Sequence, residues 1–167
     1  MKNISRLSAA LVPDEMRPLV FDFFTFFSRF EFALKNSGYL QKKDRAEPHW
    51  DAFAKKNTEE FSKLQNQELS VAKTYLIDNP PLRQMVGARG MEWKEIHFAD
   101  DQKSLVTYIR IVKQVRNNLF HGGKFPLRPV IDPARDRDLL QHSLVILQHC
   151  VQLEEKVQRE FSQSNVA

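Results

Sequence analysis

The 167-residue chain has one cysteine, five glycines and no long apolar run, and each shortage excludes a class of protein. Cys150 alone forms neither an internal disulfide nor a zinc site, so we interpret it as a small buried residue on a helix. The glycines form no phosphate-cradling loop and no Gly-x-Ser-x-Gly motif. Residues 19–34 come closest to a membrane span but contain three charges, and the N-terminus leads into no signal-peptide core. The expected compartment is therefore the cytoplasm.

The aromatic residues and the positive charge are both unevenly distributed. Phenylalanine accounts for 13 aromatic residues, against three tyrosines and two tryptophans. Phenylalanine carries no polar group, so this bias indicates a core or interface built from apolar rings. The net charge is +4, yet residues 103–137 carry eight lysines or arginines and only two acids. All the excess positive charge thus falls on one predicted helix and the loop after it, which favours an anionic partner.

Hydrophobic periodicity predicts an all-α protein, a single-domain bundle of four or five helices spanning residues 1–167. The predicted helices cover residues 14–36, 50–64, 69–77, 103–120 and about 133–161. The first is apolar on more than one side, so it is either central in the bundle or shared with a second subunit. Residues 80–102 show no strand-like alternation, and we expect an irregular loop that is functional or poorly ordered. Residues 122–132 are expected to form a basic loop before the C-terminal helix.

The helix predicted at 103–120 has a polar stripe opposite its apolar one. At about 100° per residue, one narrow sector contains Arg110, Lys113, Gln114, Asn117 and His121. This stripe is either an ordinary solvated face or a basic, hydrogen-bonding surface for a ligand. Arg116 lies about 140° from His121, at the margin of the apolar stripe. Its charge must reach solvent, be held by a partner or cross a subunit interface, because an unpaired buried charge is costly.

His121 ends this helix and is followed by two glycines. The helix dipole favours a protonated imidazole there, and glycines allow close approach by a large ligand. A histidine that changes charge near neutral pH suits general acid–base catalysis. The alternative is a histidine that merely caps the last helical carbonyls.

Residues 116–122, Arg-Asn-Asn-Leu-Phe-His-Gly, resemble the signature of the HEPN superfamily. That signature is an arginine, a polar residue, a few variable residues and a histidine near the end of a helix in a small bundle. The resemblance implies a metal-independent ribonuclease of toxin–antitoxin or phage-defence systems, without a cofactor. It also implies a homodimer in which the arginines and histidines of both chains meet in one cleft, with a cognate antitoxin or defence-complex subunit as a further partner.

The resemblance assigns roles to particular residues. His121 would deprotonate the ribose 2′-hydroxyl or protonate the leaving 5′-oxygen, Arg116 would stabilise charge on the phosphate, and Asn117 would orient either group. RNA is the expected substrate because its own 2′-hydroxyl supplies the nucleophile. The expected backbone-phosphate contacts are Arg110, Lys113, Lys124 and Arg128. Two alternatives remain, namely a non-catalytic HEPN-like module that binds RNA or nucleotide, and a protein-interaction subunit.

Overall fold

A computed structural model describes residues 12–41, 44–88, 90–96, 104–120 and 133–163. Within these ranges the chain forms six α-helices, one antiparallel hairpin and a short 3-10 turn before the first helix. The helices are α1 (Arg17–Asn36), α2 (Trp50–Lys63), α3 (Gln67–Asp78), α4 (Leu105–Phe120), α5 (Pro133–Val151) and α6 (Glu155–Ser162). The strands are β1 (Arg83–Gly87) and β2 (Gly90–Lys94). The predicted all-α class is confirmed, and the first four predicted helices are present to within a few residues.

The helices enclose one hydrophobic core in which α1 is central. Helix α1 packs against α5 and α6, α2 packs against α4, and α3 packs against α5. The ring of Phe30 meets Trp50 and Phe53 edge-on, with centroid distances of 5.2 and 5.5 Å. Such edge-to-face contacts add to the free energy gained by burying apolar area. In the described ranges, no helix combines the length and the apolar character that a bilayer span requires.

Helix α1 ends where the sequence predicts. Gly38 has a φ of +99°, a conformation that suits glycine. The turn it makes lets the N–H of Tyr39 donate to the carbonyl of Leu34 at 2.9 Å. This bond satisfies one of the carbonyls left free at the helix end.

The C-terminal helix is not continuous, which corrects the prediction of one helix to about residue 161. The chain turns after Val151, and α6 begins at Glu155. The side chain of Glu154 explains the break. Its carboxylate accepts hydrogen bonds from Tyr39 and from Asn57 Nδ2 (2.7 Å), and it pairs with Lys56 Nζ at 3.1 Å. Three partners from outside the C-terminal region thus hold the residue at the turn.

We expect acid to weaken this network. Burial acts to raise the pKa of the Glu154 carboxyl, but hydrogen bonds from Tyr39, Asn57 and Lys56 outweigh it, so the pKa is lowered. The stabilisation is therefore complete above the unfolded-state pKa of about 4.3 and is lost as pH falls through the folded-state value. Glu154→Gln should lower the free energy of unfolding at pH 7 by about 1–3 kcal/mol and flatten its decline below pH 5. Urea titrations between pH 3 and 7 measure the free energy of unfolding and its dependence on pH.

The matched control is Glu155→Gln, at an exposed position next along the chain. It removes the same charge without breaking this network, so we expect a change of no more than about 0.5 kcal/mol. Equal losses for both variants would mean that the network does not hold the turn.

Residues 83–94 form a hairpin, so the expectation of an irregular loop over residues 80–102 was wrong for this part. Register pairs Arg83 with Lys94 and Gly87 with Gly90. The positive φ of Gly90, +109°, permits the tight reversal. Periodicity did not reveal the strands because both faces of the hairpin are largely exposed, and the sequence shows no alternation of buried and exposed residues. Residues 97–102 lie outside the described ranges.

Candidate functional site

The polar face of α4 is open to solvent. Arg110 and Asn117 are exposed, while Lys113 is half-buried. The opposite face is buried, as predicted, with Tyr108 and Val112 in the core. Helix α4 contains three cations and no acidic residue. Two of the cations, Arg110 and Lys113, lie on the polar face, which therefore has a positive charge that suits contacts with phosphates.

Arg116 is held at the edge of this face by aromatic rings. Its guanidinium carbon lies 5.7 Å from the ring centroid of Phe27 on α1 and 5.1 Å from that of Phe120. Its Nη1 donates a hydrogen bond of 3.2 Å to Oδ1 of Asn117. Cation–π contacts stabilise a half-buried guanidinium without neutralising its charge. The sequence left open whether Arg116 reaches solvent, is held by a partner or crosses a subunit interface. In the described residues it is held by aromatic rings of its own chain.

Gln114 has a structural contact that the sequence did not predict. Its Oε1 accepts a hydrogen bond from Arg83 Nε (3.2 Å), and its Nε2 donates to Oδ1 of Asn118 (2.8 Å). Asn118 is buried, and its Nδ2 donates to the carbonyl of Leu82 at 2.8 Å. Together these bonds join the hairpin to the last turns of α4. Asn118 therefore positions the hairpin beside the candidate site.

Two exposed phenylalanines beside Arg116 were not predicted as site residues. Phe24 on α1 and Phe120 on α4 are each 44% exposed, and their ring centroids lie 5.1 Å apart at an interplanar angle of 44°. The sequence places Phe24 off the main apolar stripe of α1, which is consistent with its exposure. The position of α4 beside it, which brings Phe120 into contact, could not be read from that pattern.

Three of the predicted site residues, His121, Lys124 and Arg128, lie outside the described residues. The described part of α4 ends at Phe120, the residue directly before His121. Arg116, Asn117 and Phe120, the residue preceding His121, thus lie at the C-terminal end of α4.

The other histidines within the described ranges have structural contacts. His49 caps α2 by accepting a hydrogen bond from the backbone N–H of Ala52 at 3.2 Å. His142 packs on the ring of Tyr75 at 4.5 Å, and His149 bonds to the carbonyl of Val145 at 2.9 Å. His97 lies outside the described residues.

Cys150 is fully buried, and burial raises the pKa of its thiol. The interpretation of this residue as a small core residue is confirmed. In the part of the chain that the structure describes, no three residues of the types histidine, cysteine, aspartate and glutamate come together in a way that could hold a metal ion.

Comparison with protein-family models, with curated proteins and with solved structures finds no match to this chain. What the chain does must therefore be inferred from its own residues. Three features are available. The solvent-facing side of α4 is positively charged, Arg116 contacts two aromatic rings and donates a hydrogen bond to Asn117, and residues 116–122 resemble the HEPN signature.

Proposed function

We propose that this protein is a metal-independent endoribonuclease of toxin–antitoxin or phage-defence type that acts in the cytoplasm. The observation that carries the proposal is the geometry of Arg116. Its guanidinium rests on Phe27 and Phe120 and bonds to Asn117, one turn before His121. An arginine oriented in this way suits recognition of a phosphate, because its planar fork can donate two parallel hydrogen bonds.

The reaction is an internal transfer at phosphorus. A base removes the proton of the ribose 2′-hydroxyl, the 2′-oxygen attacks the adjacent phosphorus, the bond to the 5′-oxygen breaks, and that oxygen takes up a proton to leave as a hydroxyl. His121 serves as the proton-transfer group, and Arg116 stabilises the negative charge that grows on the phosphate oxygens. Asn117 orients the guanidinium through their hydrogen bond. Arg110 and Lys113 contact neighbouring phosphates, as do Lys124 and Arg128.

A homodimer with a composite site is part of the proposal. Arg116 lies at the α1 side of α4, against Phe27, and helical periodicity in the sequence predicts His121 about 140° away from it. One chain therefore presents the two groups to different sides, whereas two chains could complete one cleft. The 66% exposure of Phe21 on α1 supports an apolar contact with a second chain.

The test is cleavage of total cellular RNA by the purified protein in EDTA. We expect fragments that end in a 2′,3′-cyclic phosphate, because the 2′-oxygen is the nucleophile. A 2′-O-methyl RNA of the same sequence as a cleaved oligonucleotide should remain intact, since it lacks the nucleophile. Identically purified His121→Ala protein controls for a contaminating nuclease and should leave both RNAs uncut.

Two results would contradict the proposal. A requirement for a divalent cation would exclude this mechanism, and so would RNA cleavage by the His121→Ala variant. A folded protein that cuts no RNA across a broad panel yet binds RNA would instead be the non-catalytic module.

A further inference from the structure

The exposed rings of Phe24 and Phe120 adjoin a cluster of cations. Their centroids are 5.1 Å apart, and the guanidinium carbon of Arg116 lies 5.1 Å from the centroid of Phe120. Lys113, one helical turn before Arg116 and Asn117, lies on the adjoining part of α4. Both residues remain 44% exposed although their rings contact each other. We call Phe24 and Phe120 the ring pair.

We propose that the ring pair is a base-stacking platform that makes the protein selective for single-stranded RNA. An aromatic face accepts an unpaired base, while cations beside it contact the backbone phosphates. A base within a duplex is already stacked and paired, so it cannot use such a platform without first being extruded. This inference rests on the proposed function in naming RNA as the ligand. It adds the class of RNA and two residues that select it.

The charges around the ring pair favour nucleic acid over an apolar protein surface. All three charged residues of α4 are cationic, and two of them, Lys113 and Arg116, lie within about two turns of Phe120. An apolar partner covering these rings would also have to bury those cations, which is costly unless they are paired. A polyanion that carries flat, apolar bases satisfies the rings and the cations together.

Phe32 on α1 provides a matched control within the same helix. It is 38% exposed, and the guanidinium carbon of Arg29 lies 5.2 Å from its ring centroid. That guanidinium is already bonded to backbone carbonyls, through Nε to Phe161 (2.8 Å) and through Nη2 to Glu160 (3.0 Å) and Gln163. Phe32 therefore resembles the ring pair in its exposure and in its contact with an arginine. It differs because the hydrogen bonds of that arginine already go to backbone carbonyls.

The experiment measures binding without cleavage. The probes are fluorescent 2′-O-methyl RNAs of equal length, presented as a single strand, as a duplex and as an abasic single strand with the same phosphates. Wild type should bind the single strand best, and removing its bases should weaken binding by about tenfold or more. Phe24→Leu should weaken single-strand binding about fivefold or more while leaving abasic binding unchanged. Phe120→Leu should weaken single-strand binding at least as much, and it also removes a ring that contacts Arg116. Phe32→Leu should change neither single-strand nor abasic binding.

Two outcomes would overturn the platform. Equal affinity for the intact and abasic strands would show that binding is purely electrostatic. Loss of self-association in Phe24→Leu or Phe120→Leu, measured by sedimentation velocity, with base dependence retained would show that the rings contact a second chain instead. Neither outcome depends on cleavage, so this test separates failure of the platform from failure of the nuclease proposal.

Discussion

Replacing Arg116 with lysine is expected to lower the rate of RNA cleavage by about a hundredfold or more. The change keeps the positive charge but removes the planar group that rests on Phe27 and Phe120. A lysine ammonium is a point charge and cannot give two parallel hydrogen bonds to a phosphate. The loss should fall on kcat rather than on KM, because the charge that we propose Arg116 stabilises develops in the transition state. Single-turnover cleavage in EDTA measures the effect.

The matched control is Arg110→Lys, the same chemical change on the same helix. Arg110 is exposed, and its proposed role is a backbone-phosphate contact that lysine can also make. We expect its cleavage rate to fall by no more than about threefold. Thermal unfolding of Arg110→Lys should stay close to wild type, because surface substitutions change stability by only about 0.5 kcal/mol. Arg116→Lys should fold normally and lose about 0.5–1 kcal/mol with its ring contacts. If Arg116→Lys cleaves RNA at the wild-type rate but is destabilised, the role of the arginine is structural. The geometry of Arg116 would then no longer support the nuclease proposal.

Local periodicity was sufficient to predict the helices and their buried faces. In α4 the predicted apolar stripe is largely buried, including Leu105, Tyr108 and Val115, and the described residues of the predicted polar face are exposed or half-buried. The burial of each of these residues depends on its angular position around one helix, and the 3.6-residue repeat predicts that position directly. The position of Arg116 at the margin of the apolar stripe was predictable for the same reason.

Contacts between distant elements were not predictable in this way. The bond from Asn118 to the carbonyl of Leu82 joins residues 36 positions apart, and nothing local marks Asn118 as its donor. The break before α6 depends equally on Tyr39 and Asn57, which reach Glu154 from elsewhere in the chain. The ring pair likewise exists only because the end of α4 contacts α1 through side chains. The bond from Asn118, the break before α6 and the ring pair all depend on tertiary packing, which the local pattern of a single sequence does not predict.

Replacing Phe30 with alanine is expected to lower the free energy of unfolding by about 3–5 kcal/mol. Phe30 is fully buried and meets Trp50 and Phe53 edge-on, so truncation leaves a cavity between α1 and α2. Domains of this size have a total stability of about 5–15 kcal/mol. The melting temperature should therefore fall by about 6–20 °C. Urea and thermal unfolding followed by circular dichroism measure both quantities.

The same substitution at Phe21 separates the two interpretations of the phenylalanine-rich helix α1, as a central element or as a shared surface. Phe21 is 66% exposed, so Phe21→Ala should change monomer stability by no more than about 0.5 kcal/mol. If the helix also joins a second chain, Phe21→Ala should weaken self-association in sedimentation experiments, because the exposed ring is the apolar surface that the partner covers. If Phe30→Ala does not fold, Phe30→Leu should retain the fold at a cost of about 1–1.5 kcal/mol. Similar stability losses at Phe21 and Phe30 would contradict the burial of one and the exposure of the other, since only a buried ring leaves a cavity when it is removed.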